Sequence, residues 1–193
     1  GPATRDPLPR RRRPGGRGPP EALSMEIDVR SSVSGAPSAR RTQSLLRRAE
    51  RLFPPPASRP ALRSSASLRS TSCSPSGPEL SVLFCGDARM RALNRHYRGK
   101  DRPTDVLAFP GDGGALGDIV ISLPYASREA RRRGQGRAEE LDRLLLHGYL
   151  HLLGYDHEVD NGQMDRLEAR LRRRLGLSES QESAATTERG AKA

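Results

Sequence analysis

The fold is decided by residues 79–122, ELSVLFCGDARMRALNRHYRGKDRPTDVLAFPGDGGALGDIVIS. Short apolar and β-branched runs bounded by Gly, Pro and Asp are typical of strands. Three such runs are predicted to be strands, over residues 79–84, 105–109 and 118–122. Asp87 is predicted to cap a helix between the first two. A glycine-rich turn over residues 111–117 joins the last two.

On the N-terminal side of this stretch, the chain supplies one more strand and one more helix. Residues 25–30 alternate apolar and polar side chains, which predicts a half-buried strand. Leu45, Leu46 and Ala49 then recur at helical spacing, until the three prolines at 54–56 stop the helix.

On the C-terminal side, the pattern after Ser122 is helical throughout. We predict a short helix that leads to Gly134, a longer one over residues 138–153 and an amphipathic one over residues 164–175. The fold class predicted is α/β (α+β): a single domain over residues 25–177, in which a small mixed four-stranded sheet is packed with about five helices.

Three segments lack the apolar residues that a packed core needs. Residues 1–24 hold six prolines and six arginines and are predicted to be a disordered basic tail, with Met25 as a possible true start. Residues 54–78 are rich in Pro, Ser and Arg and are expected to form a flexible linker inside the domain. Residues 178–193 show no periodicity and are expected to be a second disordered tail.

The charge balance favours a polyanionic partner. The 193 residues carry 34 basic against 23 acidic side chains, a net charge of +11, and Lys100 and Lys192 are the only lysines. The excess of Arg over Lys has a second explanation in the base composition of the gene. No apolar run is long enough to span a membrane and no secretory signal is present, so we expect a cytoplasmic protein. Cys73 and Cys85 are expected to be reduced.

Three of the four histidines fall within residues 147–157, HGYLHLLGYDH. His147 and His151 are four residues apart on the predicted longer helix, so both rings project from one face. Gly154 can take the left-handed conformation that ends a helix, which returns His157 towards the other two. Three imidazoles with an open fourth position are typical of catalytic zinc, although nickel, copper and iron accept the same ligands. His96 has no such partner and is predicted to lie on the surface.

The spacing of these histidines also occurs in zinc proteases that use a Glu directly after the first His as general base. Here that position is Gly148, so a peptidase of this type lacks its proton acceptor. A zinc site would still supply a water molecule acidic enough to react at neutral pH.

Three motifs in order resemble the YbeY family of bacterial zinc-dependent endoribonucleases, or rRNA maturation factors. They are ALNRHYRGKDRPTDVLAFP (92–110), LGDIVIS (116–122) and HGYLHLLGYDH (147–157). The resemblance covers residues 79–177, and residues 25–53 fit the family's first strand and helix more loosely. The chain departs from the family at Ala108, where Ser is usual, and in its longer linker over residues 54–78.

The resemblance implies a single-strand-specific endoribonuclease that matures rRNA, notably the 3′ end of the small-subunit rRNA, and acts in ribosome quality control. It implies one zinc ion per chain held by His147, His151 and His157, and a functionally important arginine at Arg98. The implied partners are unpaired rRNA and the small ribosomal subunit, with no membrane and no DNA.

For the mechanism we hypothesise that Arg98 stabilises the charge that builds on the phosphate, because its planar fork meets two phosphate oxygens. Lys100 and Arg102 are expected to add positive charge along the RNA path. Asp105 and Asp118 have either an orienting role or a capping and turn role. Asp156 is a candidate general base or a partner for a histidine ring.

Several alternatives stay open at this point. The nucleophile is either water or the ribose 2′-hydroxyl. The main rival function is a non-catalytic, zinc-stabilised, ribosome-associated RNA-binding factor. A weaker rival is hydrolysis of some other metal-activated substrate.

Overall fold

The protein is described by a computed structural model that covers residues 25–55, 77–112, 114–157 and 160–177. These residues form one domain with four strands and five helices. The elements are β1 (Glu26–Ser31), α1 (Ala39–Leu52), β2 (Glu79–Cys85), α2 (Asp87–Arg98), β3 (Val106–Pro110), β4 (Ala115–Ser122), α3 (Leu123–Arg132), α4 (Arg137–Leu152) and α5 (Gln163–Leu175). The predicted fold class is confirmed.

The sheet is mixed, as predicted, and has the strand order β1-β2-β4-β3. Strands β1, β2 and β4 run parallel, while β3 pairs antiparallel with β4 at one edge. Parallel strands need a crossover connection, which is usually helical. Here α1 begins the connection from β1 to β2, and α2 begins the connection from β2 towards β4. α1 starts at Ser38, whose hydroxyl accepts a hydrogen bond from the Arg41 N–H, and it ends before the prolines.

The two faces of the sheet differ in how they are covered. On the face that we call the closed face, Leu80, Val82 and Phe84 of β2 pack with Ile119 and Ile121 of β4 into one large core. This core also takes in the apolar sides of α1, α4 and α5. Alternate residues point to opposite faces of a strand, so the intervening residues form the second face.

The second face, which we call the open face, is covered by α2 over part of its length. A small core of Cys85, Met90, Leu107 and Val120 lies beneath this helix. Beside it, strand residues such as Asp28 and Asp118 are exposed. The open face therefore carries a mixture of charged and apolar side chains.

Two local predictions were wrong. Asp87 is not the cap of α2: the capping position is Gly86, and Asp87 is the first helical residue. Its carboxylate instead accepts a hydrogen bond from the Ser122 hydroxyl at 2.6 Å and pairs with Arg128 at 2.8 Å. The predicted turn over residues 111–117 is shorter, because β4 begins at Ala115.

Gly117 explains how the strand can begin so early. Its φ of 135° lies outside the range that side-chain-bearing residues favour, and a Cβ there would lie 2.2 Å from the Phe109 carbonyl oxygen. A glycine is therefore required at the last residue pair between β3 and β4.

Some predictions fall outside the described residues or concern the membrane. The two tails, Cys73 and nearly all of the 54–78 linker lie in the parts of the chain that the structure does not describe. Cys85 is a free thiol buried in the core, as predicted. Within the described ranges, no helix combines the length and the apolar composition that crossing a membrane requires.

Candidate metal centre

Helix α4 carries the first two candidate ligands, and its packing holds them in place. Leu144, Leu145 and Tyr149 are almost fully buried in the closed-face core, so the helix cannot rotate without exposing them. The Tyr149 hydroxyl also donates a hydrogen bond to the Phe53 carbonyl at 2.7 Å, which joins α4 to the end of α1. His147 and His151 occupy another side of the helix and are partly exposed.

The chain turns back immediately after α4, as predicted. Gly154 has a φ of 96°, and its N–H donates to the His151 carbonyl at 2.9 Å. The next N–H, that of Tyr155, donates to the Leu150 carbonyl at 3.1 Å. These two bonds form a Schellman motif, which satisfies the last carbonyls of the helix and redirects the backbone. His157 follows in the returning segment.

The structure brings all three histidines together. The Nε2 atoms of His147 and His151 lie 3.2 Å apart, and the His157 ring centroid lies 5.3 Å from the first ring and 5.2 Å from the second. One ligand atom from each ring lies within 4.8 Å of the others. The trio can therefore hold a metal ion.

The spacing of the first two nitrogens suits a zinc ion. Two nitrogens bound at about 2.0–2.1 Å to one tetrahedral zinc stand about 3.3–3.4 Å apart, close to the 3.2 Å between the two Nε2 atoms. Three imidazoles would leave a fourth position for water or substrate, and His157 is exposed to solvent.

Glu168 is a residue of the site that we did not predict. It lies on α5, and its Oε2 is 3.0 Å from Nδ1 of His147. A carboxylate only accepts hydrogen bonds, so this contact places the ring proton on Nδ1 and leaves the Nε2 lone pair facing His151. Carboxylate partners of this kind orient a metal-binding histidine and raise its basicity.

The surroundings of His151 favour its neutral form. Burial, reinforced by the neighbouring rings of His147 and His157, holds its pKa below the ordinary value. Asp156 and a hydrogen bond with the Tyr155 backbone act in the opposite direction. Asp156 thus lies near His151, and the Glu168 carboxylate contacts the ring of His147.

Gly148 faces the sheet. A Cβ at this position would lie 3.0 Å from Cγ2 of Ile119 and 3.3 Å from its other side-chain carbons. The glycine therefore lets α4 approach β4 closely. A Glu here, as in the zinc proteases considered above, would have no room against the strand.

The segment that carries the predicted RNA-contacting residues begins at the end of α2. Arg98 is the last residue of this helix, and Lys100 and Arg102 follow in an exposed loop. The loop is held by the buried side chain of Asn94, whose amide donates to the Arg102 carbonyl at 2.7 Å. An ion pair between Arg91 and Asp101, with contacts of 2.6 and 2.8 Å, supports it from outside.

This loop leads to Asp105, which lies near α4. Oδ1 of Asp105 accepts hydrogen bonds from the Val106 N–H and the Thr104 hydroxyl, so the residue has the predicted turn role. Its other oxygen lies 3.9 Å from Arg143. Arg143 precedes His147 by one turn, so the loop ends beside the helix that carries the histidines.

Asp118 does not join the site. It is exposed on the open face, because it alternates with Ile119, which packs on the closed face against α4. His96 is exposed at the end of α2, as predicted, and does not join the histidine trio.

The sequence that forms this site matches a known family. The family model for endoribonuclease YbeY matches residues 61–176, which is more than half of the chain. This chain belongs to the YbeY family. The three histidines and the loop after α2 all lie within the matched range.

Curated relatives agree with this assignment. An endoribonuclease YbeY of an Anaeromyxobacter strain is 56% identical over 106 residues, and the alignment covers 51% of this chain and 55% of the relative. One from Solibacter usitatus is 52% identical over 101 residues, covering 52% of this chain and 69% of the relative. The chain thus spans between about half and two thirds of these YbeY proteins. A Thermotoga maritima solution structure aligns with 83% of this chain and 98% of its own, with a TM-score of 0.49 and 22% identity.

Proposed function

We propose that this chain is a zinc-dependent, single-strand-specific endoribonuclease that hydrolyses RNA phosphodiester bonds. The observation that carries the proposal is the convergence of His147, His151 and His157 in a chain that belongs to the YbeY family. We further propose that its substrate is rRNA, including the 3′ end of the small-subunit rRNA, that it acts on small ribosomal subunits in the cytoplasm, and that it serves ribosome quality control.

The three histidines would hold one zinc ion through neutral imidazole nitrogens. When bound, zinc supplies Lewis-acid polarisation of a phosphoryl oxygen and a water molecule acidic enough to attack at neutral pH. The chain's own contribution is to hold the ligands. Glu168 holds the His147 ring through Nδ1, and the depressed pKa of His151 keeps that ring neutral and ready to bind.

Arg98 is the proposed catalytic cation. A guanidinium presents two parallel donors to the oxygens of a phosphate, so it stabilises the negative charge that develops during cleavage. Its place at the exposed end of α2 supports this role, because Asn94 and the Arg91–Asp101 pair hold the following loop. Lys100 and Arg102 extend the same positive surface and would bind phosphates on either side of the scissile bond.

The first test is cleavage by the full chain of an unpaired RNA, its duplex and a DNA strand of the same sequence, each with and without chelator, alongside elemental analysis. We expect cleavage of unpaired RNA alone, its loss with chelator and one zinc per chain. A 2′,3′-cyclic phosphate product would identify the ribose hydroxyl as the nucleophile. RNA binding without any cleavage would instead support a non-catalytic RNA-binding factor.

The second test addresses Arg98. Removing one charge-stabilising donor costs about 100-fold or more in rate, so Arg98→Ala should slow cleavage by this factor while zinc content stays the same. Arg170→Ala, an exposed arginine on α5, is the matched control and should cleave at the parental rate. Equal rates for Arg98→Ala and Arg170→Ala would remove Arg98 from the mechanism.

A further inference from the structure

The open face of the sheet contains a groove beside α2 that the metal site does not use. Its volume is about 360 Å³, and its floor is formed by β2, β3 and β4. Leu83 and Val120 supply apolar floor, while Leu93 and Tyr97 of α2 form one wall. The groove therefore combines an apolar floor with a helical wall.

Aromatic rings mark the end of this groove. Tyr97 is 60% exposed and is the one large apolar side chain in the described ranges that is exposed to this degree. Its ring centroid lies 4.8 Å from that of Phe109, with 57° between the ring planes. The His96 ring meets Tyr97 edge-on at 4.6 Å. An exposed aromatic cluster of this kind presents π-faces on which planar groups stack.

The charges around the groove favour an anionic occupant. Helix α2 carries four arginines against one aspartate; Asp87 is paired with Arg128, and Arg91 is paired with Asp101. Arg89 and Arg30 border the groove, and Asp118 is the carboxylate that lines it. Arg30 is already paired with Asp28 at 2.7 Å, so the proposed phosphate contact falls to Arg89. Together with the net charge of +11, this combination of basic side chains and aromatic rings fits single-stranded nucleic acid, which binds through its phosphates and its stacked bases.

We propose that the open face is a platform for unpaired RNA, on which a base stacks against Tyr97 and Phe109 while Arg89 contacts the phosphate backbone. The proposal rests on the proposed ribonuclease function and adds a second contact surface to it. Bases in a duplex are already stacked on one another and cannot reach such a platform, so this surface selects unpaired strands.

Strand β3 contributes residues to both faces of the sheet. β3 pairs with β4 alone among the described strands, so its outer edge has no strand partner there. Phe109 is on the open face of β3, while the adjacent Ala108 packs with the closed-face core to which α4 belongs. An RNA strand that passes over the edge of β3 would therefore connect the two surfaces.

The experiment measures binding of labelled oligonucleotides to the full-length protein in chelator, where cleavage is absent. The probes are an unpaired RNA of about 12 nucleotides, its duplex and an abasic strand of equal length. Removing a stacking ring costs about 10-fold in affinity for unpaired RNA. We expect this loss for Tyr97→Ala with unpaired RNA and no loss with the abasic strand. Tyr97→Phe, which keeps the ring, and Tyr125→Ala, which removes a tyrosine from α3, should bind like the parent.

The outcomes separate this proposal from the ribonuclease function. If Tyr97→Ala binds unpaired RNA as the parent does, or loses equal affinity for the abasic strand, the platform is wrong even when the parent cleaves RNA. Self-association of the parent that Tyr97→Ala abolishes would reassign the face to a second copy and also overturn it. If the ring-dependent binding is found and no cleavage is, the platform stands and the nuclease function fails.

Discussion

The closed and open faces of the sheet are built on the same four strands but differ in how much apolar surface they bury. The closed face is covered by α1, α4 and α5, and 21 buried residues form a continuous core there. The open face has four buried residues under α2 and leaves the rest of its surface to solvent. Stability is therefore concentrated on one face, because burial of apolar surface is the main favourable contribution to folding.

The two proposed functional surfaces follow this division. His147 and His151 lie on α4, a helix anchored in the large core, so these two ligands are held in a fixed arrangement as metal binding requires. His157 follows the turn at the end of this helix. The proposed RNA platform lies on the thinly covered face, where apolar and aromatic groups stay accessible. Rigid ligands and an accessible binding surface are thus obtained from opposite sides of one sheet.

Substitution of Glu140 tests whether buried charges also hold α4 on the closed face. We expect this substitution to have the largest effect on stability. Its side chain is fully buried and contacts Arg143 at 2.7 and 3.1 Å and Arg133 at 3.3 and 3.4 Å. Glu140→Ala removes the buried carboxylate that both arginines share and leaves Arg143 with its longer 3.9 Å contact to Asp105, which costs about 3–5 kcal/mol. The free energy of unfolding from urea titration measures this.

The neighbouring glutamate provides the control for Glu140. Glu139 is more exposed, and its carboxylate lies 3.8 Å from the Arg172 guanidinium. Glu139→Ala should cost about 1 kcal/mol or less. Equal losses for the two variants would show that the Glu140 network adds nothing beyond an ordinary surface pair.

Substitution of two leucines of β2 compares how much each face contributes to stability. Leu80 is 1% exposed and points into the closed-face core, while Leu83 is partly buried on the open face. Leu80→Ala creates a cavity and should cost about 2–5 kcal/mol, whereas Leu83→Ala should cost about 1 kcal/mol. Urea titration of both variants measures the difference. If Leu83→Ala is as costly as Leu80→Ala, the open face carries as much stability as the closed one.

Much of the fold was predictable because it depends on local periodicity. The strand β1 and the helices α4 and α5 were predicted within one or a few residues, since apolar side chains recur at the spacing of each element, and the end of α1 was predicted from its prolines. The convergence of His147 and His151 was predictable for the same reason, because a helix places residues four apart on one face. Gly154 then indicated the turn that returns His157.

The contacts between residues distant in sequence were not predicted, because periodicity does not determine them. Asp87 accepts a hydrogen bond from Ser122 and forms an ion pair with Arg128, both at least 35 residues away in sequence. These two contacts depend on how β4 and α3 pack. Glu168 reaches His147 across the α4–α5 interface for a similar reason. A signal for Glu168 was present, because it falls between Met164 and Leu171 on the buried stripe of α5. A charged residue on an apolar stripe requires a buried partner.

Glu168 also tests how the closed face supports the metal centre. Glu168→Gln keeps the size of the side chain but removes the negative charge that orients and polarises His147 through Nδ1. Loss of such a partner weakens metal binding by about 10- to 100-fold, and we expect this loss for zinc in competition with a chromogenic chelator. Asp165→Asn, an exposed carboxylate in the first turn of the same helix, is the matched control and should bind zinc like the parent. Because circular dichroism reports folding independently, a folded Glu168→Gln protein with parental zinc affinity would show that α5 supports the helix but does not tune its ligands.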